Sequence, residues 1–104
     1  MYEYGALYEA GVSQDDIAEV VHDWSDSPEG YGSEDVMMVM RMKDGRWCYV
    51  EAWCDTTGWD CRAGGNAYYA SSEEELARTK MTQFARRTFG YEPGMPEDFE
   101  FQYR

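Results

Sequence analysis

Histidine, paired cysteines and long apolar runs are scarce in this chain of 104 residues. His22 is the single histidine, and the three cysteines are an odd number, which argues against a disulfide framework and suits a reducing compartment. No apolar run approaches the roughly 18 residues that a membrane-spanning helix needs, and the opening MYEYGALYEAG lacks the basic and apolar regions of a signal peptide. We therefore expect a cytoplasmic protein with no membrane partner.

Basic residues are absent from the first third of the chain. Residues 1–35 contain ten acids and no Lys or Arg, and the whole chain has a net charge of −12. Such acidity disfavours direct binding to DNA, RNA or an anionic membrane. Two interpretations stay open: the acidity keeps the protein soluble, or it forms a face that meets a basic surface of a partner.

The apolar content, in contrast, is that of a folded protein. Hydrophobic residues make up 43% and aromatic residues 16% of the chain. At this length, residues 1–104 fit a single domain. The tail 91–104 contains two prolines and alternating acids and aromatics, so it is either a loosely attached tail or a short edge strand.

Two helical segments are predicted in the first quarter of the chain. Ser13 and Asp16 resemble a capping box ahead of an apolar stripe at helical spacing, which predicts a helix over residues 13–25. The members of that stripe, which we expect to be buried, are Ile17, Val20, Val21 and Trp24. Before it, residues 6–10 favour a short helical turn that ends at Gly11.

A further helix is predicted over residues 72–89, after a serine that can cap it. Thr82 could recap the chain and split this helix in two. Gly90 stands where a glycine that ends a helix is expected. The predicted buried stripe consists of Leu76, Ala77, Phe84 and Ala85.

The clearest local pattern is a β-hairpin in DVMMVMRMKDGRWCYVEAWC. Asp44-Gly45 favours a two-residue type I′ turn that pairs Lys43 with Arg46. This register predicts a core face made of Val36, Met38, Met40, Met42, Trp47, Tyr49, Glu51 and Trp53. The opposite face is also apolar, so it is either covered or a contact surface; it contains Met37, Val39, Arg41, Cys48, Val50 and Ala52.

A third strand is predicted over residues 66–70. The predicted fold class is therefore α+β: a single small domain with an antiparallel sheet of about three or four strands and two or three helices packed on it.

The stretch EAWCDTTGWDC, residues 51–61, leaves four alternatives. A zinc site would draw on the three cysteines and His22, at a spacing that matches no zinc motif. A disulfide between Cys54 and Cys61 would need backbone adjustment if a four-residue turn joins the strands. A catalytic thiol is disfavoured because the aspartates beside the sulfurs would raise the thiol pKa. We favour a structural turn whose tryptophans fill the core, and predict no metal, no cofactor and no catalytic residue.

The segment from Asp44 to Leu76 is similar to small uncharacterised proteins encoded by bacteriophages, particularly those of actinobacteria. The resemblance rests on V-E-A-W-C-D-x-T-G-W-D-C at residues 50–61, followed by a Ser-Glu-Glu-Leu-type helix start. It covers about a third of the chain and leaves out residues 1–35 and the tail. It implies a phage or prophage context and a location in the host cytoplasm, and it carries no assigned chemistry.

These features predict a non-enzymatic interaction protein that binds and inhibits or modulates a host nucleic-acid-handling protein, because clustered carboxylates can occupy a basic nucleic-acid channel. Anti-CRISPR proteins are an analogy in size, charge and context. The predicted partner-binding residues are Asp15, Asp16, Glu19, Asp23, Asp26, Glu34 and Asp35. The alternative is a small binding module that acts through a Met/Tyr/Trp-rich sheet face, with the acidity serving only solubility.

Overall fold

Four antiparallel strands, adjacent in chain order, form the sheet at the centre of the protein. The computed structural model describes residues 3–26, 33–55 and 62–91. The elements are α1 (Glu3–Ala10), a 3₁₀ turn (Gln14–Asp16), β1 (Ile17–Asp26), β2 (Ser33–Met42), β3 (Trp47–Asp55), β4 (Arg62–Ala70), α2 (Glu73–Lys80) and α3 (Gln83–Thr88). The predicted α+β class, with helices packed on an antiparallel sheet, is confirmed.

The helix predicted over residues 13–25 is wrong, because most of this segment forms the edge strand β1. Ser13 is a helix cap, as expected, but it caps a single 3₁₀ turn, where its Oγ accepts a hydrogen bond from the Asp15 amide at 3.3 Å. After that turn the β-branched side chains of β1 find a partner in β2, and tertiary pairing overrides the helical pattern.

Two β-bulges explain why the apolar residues of β1 are spaced as they would be in a helix. Register shifts against β2 lie between Ile17 and Glu19 and between Val20 and His22. Each bulge inserts an extra residue and so breaks the strict alternation of side chains along the strand. As a result Ile17 packs on one side of the sheet and Val21 and Trp24 pack on the other, at spacings that mimic one helical stripe.

The β2–β3 hairpin adopts a register one residue away from the predicted one. The Met42 amide donates to the Arg46 carbonyl at 2.8 Å, and the Gly45 amide donates to the Met42 carbonyl at 3.0 Å. The loop therefore spans three residues and ends at Gly45, whose φ of +94° suits the left-handed position of such a loop. Val39 pairs with Tyr49 in consequence, and the predicted composition of both hairpin faces is wrong.

Helices cover both faces of the sheet. The α1 face carries the buried cluster Ala6, Leu7, Val12, Val36, Met38, Met40, Met42, Cys48, Val50 and Ala52. The α2–α3 face carries the buried cluster Met37, Val39, Tyr49, Leu76, Ala77, Met81 and Ala85. Of the two alternatives for the second hairpin face, the covered one is therefore correct.

The C-terminal helical segment is split in two at Thr82, as the sequence allowed. The Ser72 hydroxyl accepts a hydrogen bond from the Glu75 amide at 3.1 Å and begins α2. The Thr82 hydroxyl accepts one from the Ala85 amide at 3.0 Å and begins α3. The helical turn predicted over residues 6–10 is confirmed as part of α1.

The third predicted strand is confirmed and is longer than expected, since β4 begins at Arg62 and pairs with the whole of β3. Ala52 lies opposite Gly65 rather than Cys61, so the four-residue turn assumed for a Cys54–Cys61 disulfide is wrong. Cys61 itself lies outside the described residues, as does the tail 92–104 with its predicted edge strand.

Candidate functional site

The acidic residues predicted to bind a partner lie together along one margin of the sheet, which we call the acidic edge. Its members are Asp15 and Asp16 in the 3₁₀ turn, Glu19, Asp23 and Asp26 in β1, and Glu34 and Asp35 at the start of β2. All are exposed except Glu34, which is half-buried. The structure presents most of these acids on an edge strand and the 3₁₀ turn before it, and not on a helix.

The acidic edge is divided between the two faces of the sheet. By the register of β1 and β2, Glu19, Asp26 and Asp35 fall on the α2–α3 face, whereas Asp23 and Glu34 fall on the α1 face. The carboxylates therefore flank the edge strand on both faces of the sheet.

Two members of the acidic edge have contrasting neighbours. Glu19 accepts a hydrogen bond from the Arg41 guanidinium at 3.3 Å, in an exposed ion pair that offsets part of its charge. Asp26 lies directly opposite Asp35 across the β1–β2 pair, and like charges in that position destabilise a sheet. The local density of carboxylates at this end of the sheet is therefore unfavourable for folding.

A cleft of about 540 Å³ opens on the α2–α3 face beside the acidic edge; we call it the aromatic cleft. Its walls and floor include Trp24, Asp35, Met37, Glu51, Trp53 and Phe84. Trp53 is 45% exposed and Phe84 is 56% exposed, unusual values for large apolar side chains in so small a fold. The size is that of a small-ligand or side-chain site.

Contacts within the fold orient the rings of the aromatic cleft. Trp24 meets Phe84 edge to face, with ring centroids 5.3 Å apart. The indole of Trp53 lies over Gly64 on β4, so closely that a Cβ at Gly64 would come within 3.0 Å of the ring. On the floor, the Tyr49 hydroxyl donates to a Glu51 carboxylate oxygen at 2.7 Å. These contacts place the rings and one carboxylate around the cleft.

The three aromatic residues of the cleft, Trp24, Trp53 and Phe84, were all predicted from the sequence to lie in the core. Phe84 was placed in a buried stripe and is exposed, and Val20 of the first stripe is also exposed. No periodicity distinguishes an aromatic that fills a core from one that lines a cleft.

The cysteines show no arrangement for catalysis among the described residues. Cys48 is fully buried, and that burial raises the pKa of its thiol to about 11, even though a hydrogen bond with Tyr69 and the charge of Arg46 oppose the rise. Cys54 is half-buried and carries a free thiol. His22 stacks on Phe89, with ring centroids 5.0 Å apart. Within the described residues, no three His, Cys, Asp or Glu side chains are grouped to hold a metal ion.

Comparison of the chain with protein-family models, with curated proteins and with solved structures gives no match. None of the helices in residues 3–26, 33–55 and 62–91 has the length and apolarity needed to cross a membrane. The geometry of the acidic edge and the aromatic cleft is therefore the basis for a functional proposal.

Proposed function

We propose that this protein is a non-enzymatic interaction protein that binds a basic, nucleic-acid-binding surface of a host protein through the acidic edge and thereby blocks or modulates it. The observation that carries the proposal is the concentration of seven acids on the 3₁₀ turn, β1 and the first residues of β2, with no Lys or Arg in residues 1–35. A predominantly acidic patch of this kind accelerates encounter with an oppositely charged groove.

The position of the carboxylates also supports binding. A chain selected only for solubility gains nothing from placing Asp26 opposite Asp35, where their repulsion destabilises the sheet. Charges on an edge strand do discourage edge-to-edge aggregation, which is the main competing explanation. The phage and host setting of the proposal depends on the resemblance at residues 50–61.

The alternative, a small binding module that acts through a Met/Tyr/Trp-rich sheet face, would have to use the aromatic cleft. The hairpin methionines are buried beneath the helices on both faces. The aromatic cleft is the exposed apolar surface that the described residues present instead.

Charge reversal tests the proposal with a matched control. The edge variant is Asp15→Lys with Asp23→Lys, which leaves the Glu19–Arg41 pair intact. The control variant is Glu9→Lys with Glu74→Lys, which changes the net charge equally but lies on α1 and α2. The natural chain and the two variants are each immobilised and exposed to actinobacterial lysate at about 50 mM and about 500 mM NaCl. The higher salt concentration weakens contacts between exposed charges and leaves apolar contacts in place.

We expect the natural chain and the control variant to retain a nucleic-acid-binding protein at low salt and to release it when duplex DNA is added. The edge variant should retain it at least about tenfold less well, the loss expected when rim charges that guide association are reversed. Equal retention by the edge and control variants, or retention that neither salt nor DNA reduces, would show that the acidity serves only solubility.

A further inference from the structure

We propose that the aromatic cleft binds a cationic side chain of the partner, an arginine guanidinium, and so supplies the specific contact that the diffuse acidic edge cannot. This inference rests on the proposed function, because the same basic partner surface would provide the arginine. It assigns to the cleft a ligand class that follows from its walls and its charge.

The sheet geometry gives the cleft two separated aromatic walls. Trp24 on β1 and Trp53 on β3 lie on strands that are both neighbours of β2 and are about 10 Å apart. The two tryptophans are also offset along the strands, because Trp24 pairs with Met37 and Trp53 pairs with Asp35. Met37 on β2 pairs with Trp24 and lies between the walls on the floor. Phe84 on α3 contacts Trp24 edge to face and closes one side of the cleft. A planar group can enter this space and contact an aromatic face.

The polar lining selects for positive charge. Asp35 neighbours Trp53 across the β2–β3 pair, and Glu51 neighbours Met37, so each carboxylate lies beside an apolar wall. The hydrogen bond from the Tyr49 hydroxyl orients the Glu51 carboxylate. An anion would be repelled by both groups, and a purely apolar ligand would desolvate them without replacing their hydrogen bonds. A cation can contact the exposed Asp35 carboxylate and an aromatic ring together.

Arginine fits this environment better than lysine. The guanidinium is planar, weakly hydrated and able to stack on an aromatic ring while donating hydrogen bonds to a carboxylate in its plane. The ammonium of lysine is a compact, strongly hydrated charge that gains less from flat walls. The cleft also adjoins the acidic edge, because Asp35 belongs to both. An arginine on a basic partner surface would therefore enter the cleft while neighbouring basic residues of the partner contact the acidic edge.

A titration with two matched peptides tests the inference without knowledge of the partner. The probes are acetyl-Gly-Arg-Gly-amide and the same peptide with citrulline, which keeps the shape of the side chain and removes the charge. The reporters are the indole N–H resonances of the chain's four tryptophans in ¹⁵N-labelled protein. We expect the arginine peptide to shift the Trp24 and Trp53 signals with a Kd in the millimolar range, and citrulline to bind at least about fivefold more weakly.

Two variants locate the effect. Phe84→Ser removes an exposed ring and should weaken arginine binding about fivefold. Tyr8→Ser removes an aromatic that is 80% exposed on α1, and should leave binding unchanged. Equal affinity for the arginine and citrulline peptides, or equal binding by the two variants, would overturn the inference.

The two proposals can fail separately. If the edge variant loses retention from lysate while the arginine peptide shows no preference for the cleft, the acidic edge functions and the arginine site does not exist. If the peptides discriminate as expected while the edge and control variants are retained equally, the arginine site stands and the acidic-edge function fails.

Discussion

The thiol of Cys48 is shielded from solvent, unlike that of a surface cysteine. It is fully buried in the cluster on the α1 face, and burial raises the pKa of its thiol to about 11. Only the thiolate is nucleophilic. At pH 8 about one Cys48 thiol in a thousand is ionised, which follows from that pKa. Its chemistry is therefore that of a small apolar core residue.

This burial predicts slow labelling of Cys48 by a thiol reagent. In a variant carrying Cys54→Ser and Cys61→Ser, the single remaining thiol should react with Ellman's reagent at pH 8 only as fast as the core opens. Reaction should be immediate once denaturant unfolds the chain. A variant that keeps only Cys54, which is half-buried, should label faster in the folded state. Equal rates for the two variants would contradict the assigned burial.

At the scale of elements, α1 packs closely against the backbone of β4. A Cβ at Gly65 would lie 3.1 Å from the Ala10 amide nitrogen and 3.2 Å from the Glu51 carbonyl oxygen, and neither backbone atom can move without shifting its element. At Gly64 the nearest atoms belong to the Trp53 side chain, at 3.0 Å. An exposed indole can turn away at small cost.

Adjacent glycines therefore give a matched pair of substitutions. Gly65→Ala should lower the free energy of unfolding by about 1–3 kcal/mol, the usual cost of overpacking. Gly64→Ala should cost less than about 1 kcal/mol, because a side chain and not a backbone yields. Urea unfolding of both variants measures the difference. A smaller loss at Gly65 than at Gly64 would mean that α1 does not approach β4 this closely.

The predictable and the unpredictable elements differ in how far their determinants extend along the chain. The caps at Ser72 and Thr82 and the Asp44-Gly45 turn act over a few residues, and these features were found in the sequence. The choice between a two-residue and a three-residue hairpin loop is also local, but both suit the same residues, and the wrong one inverts the predicted faces. β1 could not be predicted, because its conformation depends on pairing with β2 and on two bulges.

The candidate site likewise has one part that the sequence alone indicates and one part that depends on the tertiary fold. The excess of acids in residues 1–35, from which the acidic edge is formed, could be counted in the sequence, since the charge of a side chain does not depend on the fold. The aromatic cleft could not, because Trp24, Trp53 and Phe84 come from three elements that meet only in the folded protein.

At the scale of the whole molecule, the net charge of −12 opposes compaction. We expect the Tm to rise by several degrees when NaCl is increased from about 10 mM to about 1 M, which shortens the Debye length from about 30 Å to about 3 Å. Each 1 kcal/mol of relieved repulsion corresponds to about 4–8 °C in a domain of this size. Scanning calorimetry at matched pH measures the shift.

The comparison variant for this prediction is Asp26→Asn, which removes one carboxylate of the cross-strand pair with Asp35. It should be more stable than the natural chain at low salt and should gain less from added salt. An identical salt response would show that this pair contributes no repulsion.

The placement of helices on opposite faces also sets the order in which the protein can be completed during synthesis. α1 precedes the strands and packs on β3 and β4, so the α1 face can be covered once β4 has paired with β3. The α2–α3 face instead depends on residues 71–91, which a ribosome adds over about 1–4 s. For that interval Met37, Val39 and Tyr49 have no helix above them, so the nascent chain presents an apolar sheet that chaperones, or neighbouring copies on a polysome, can reach.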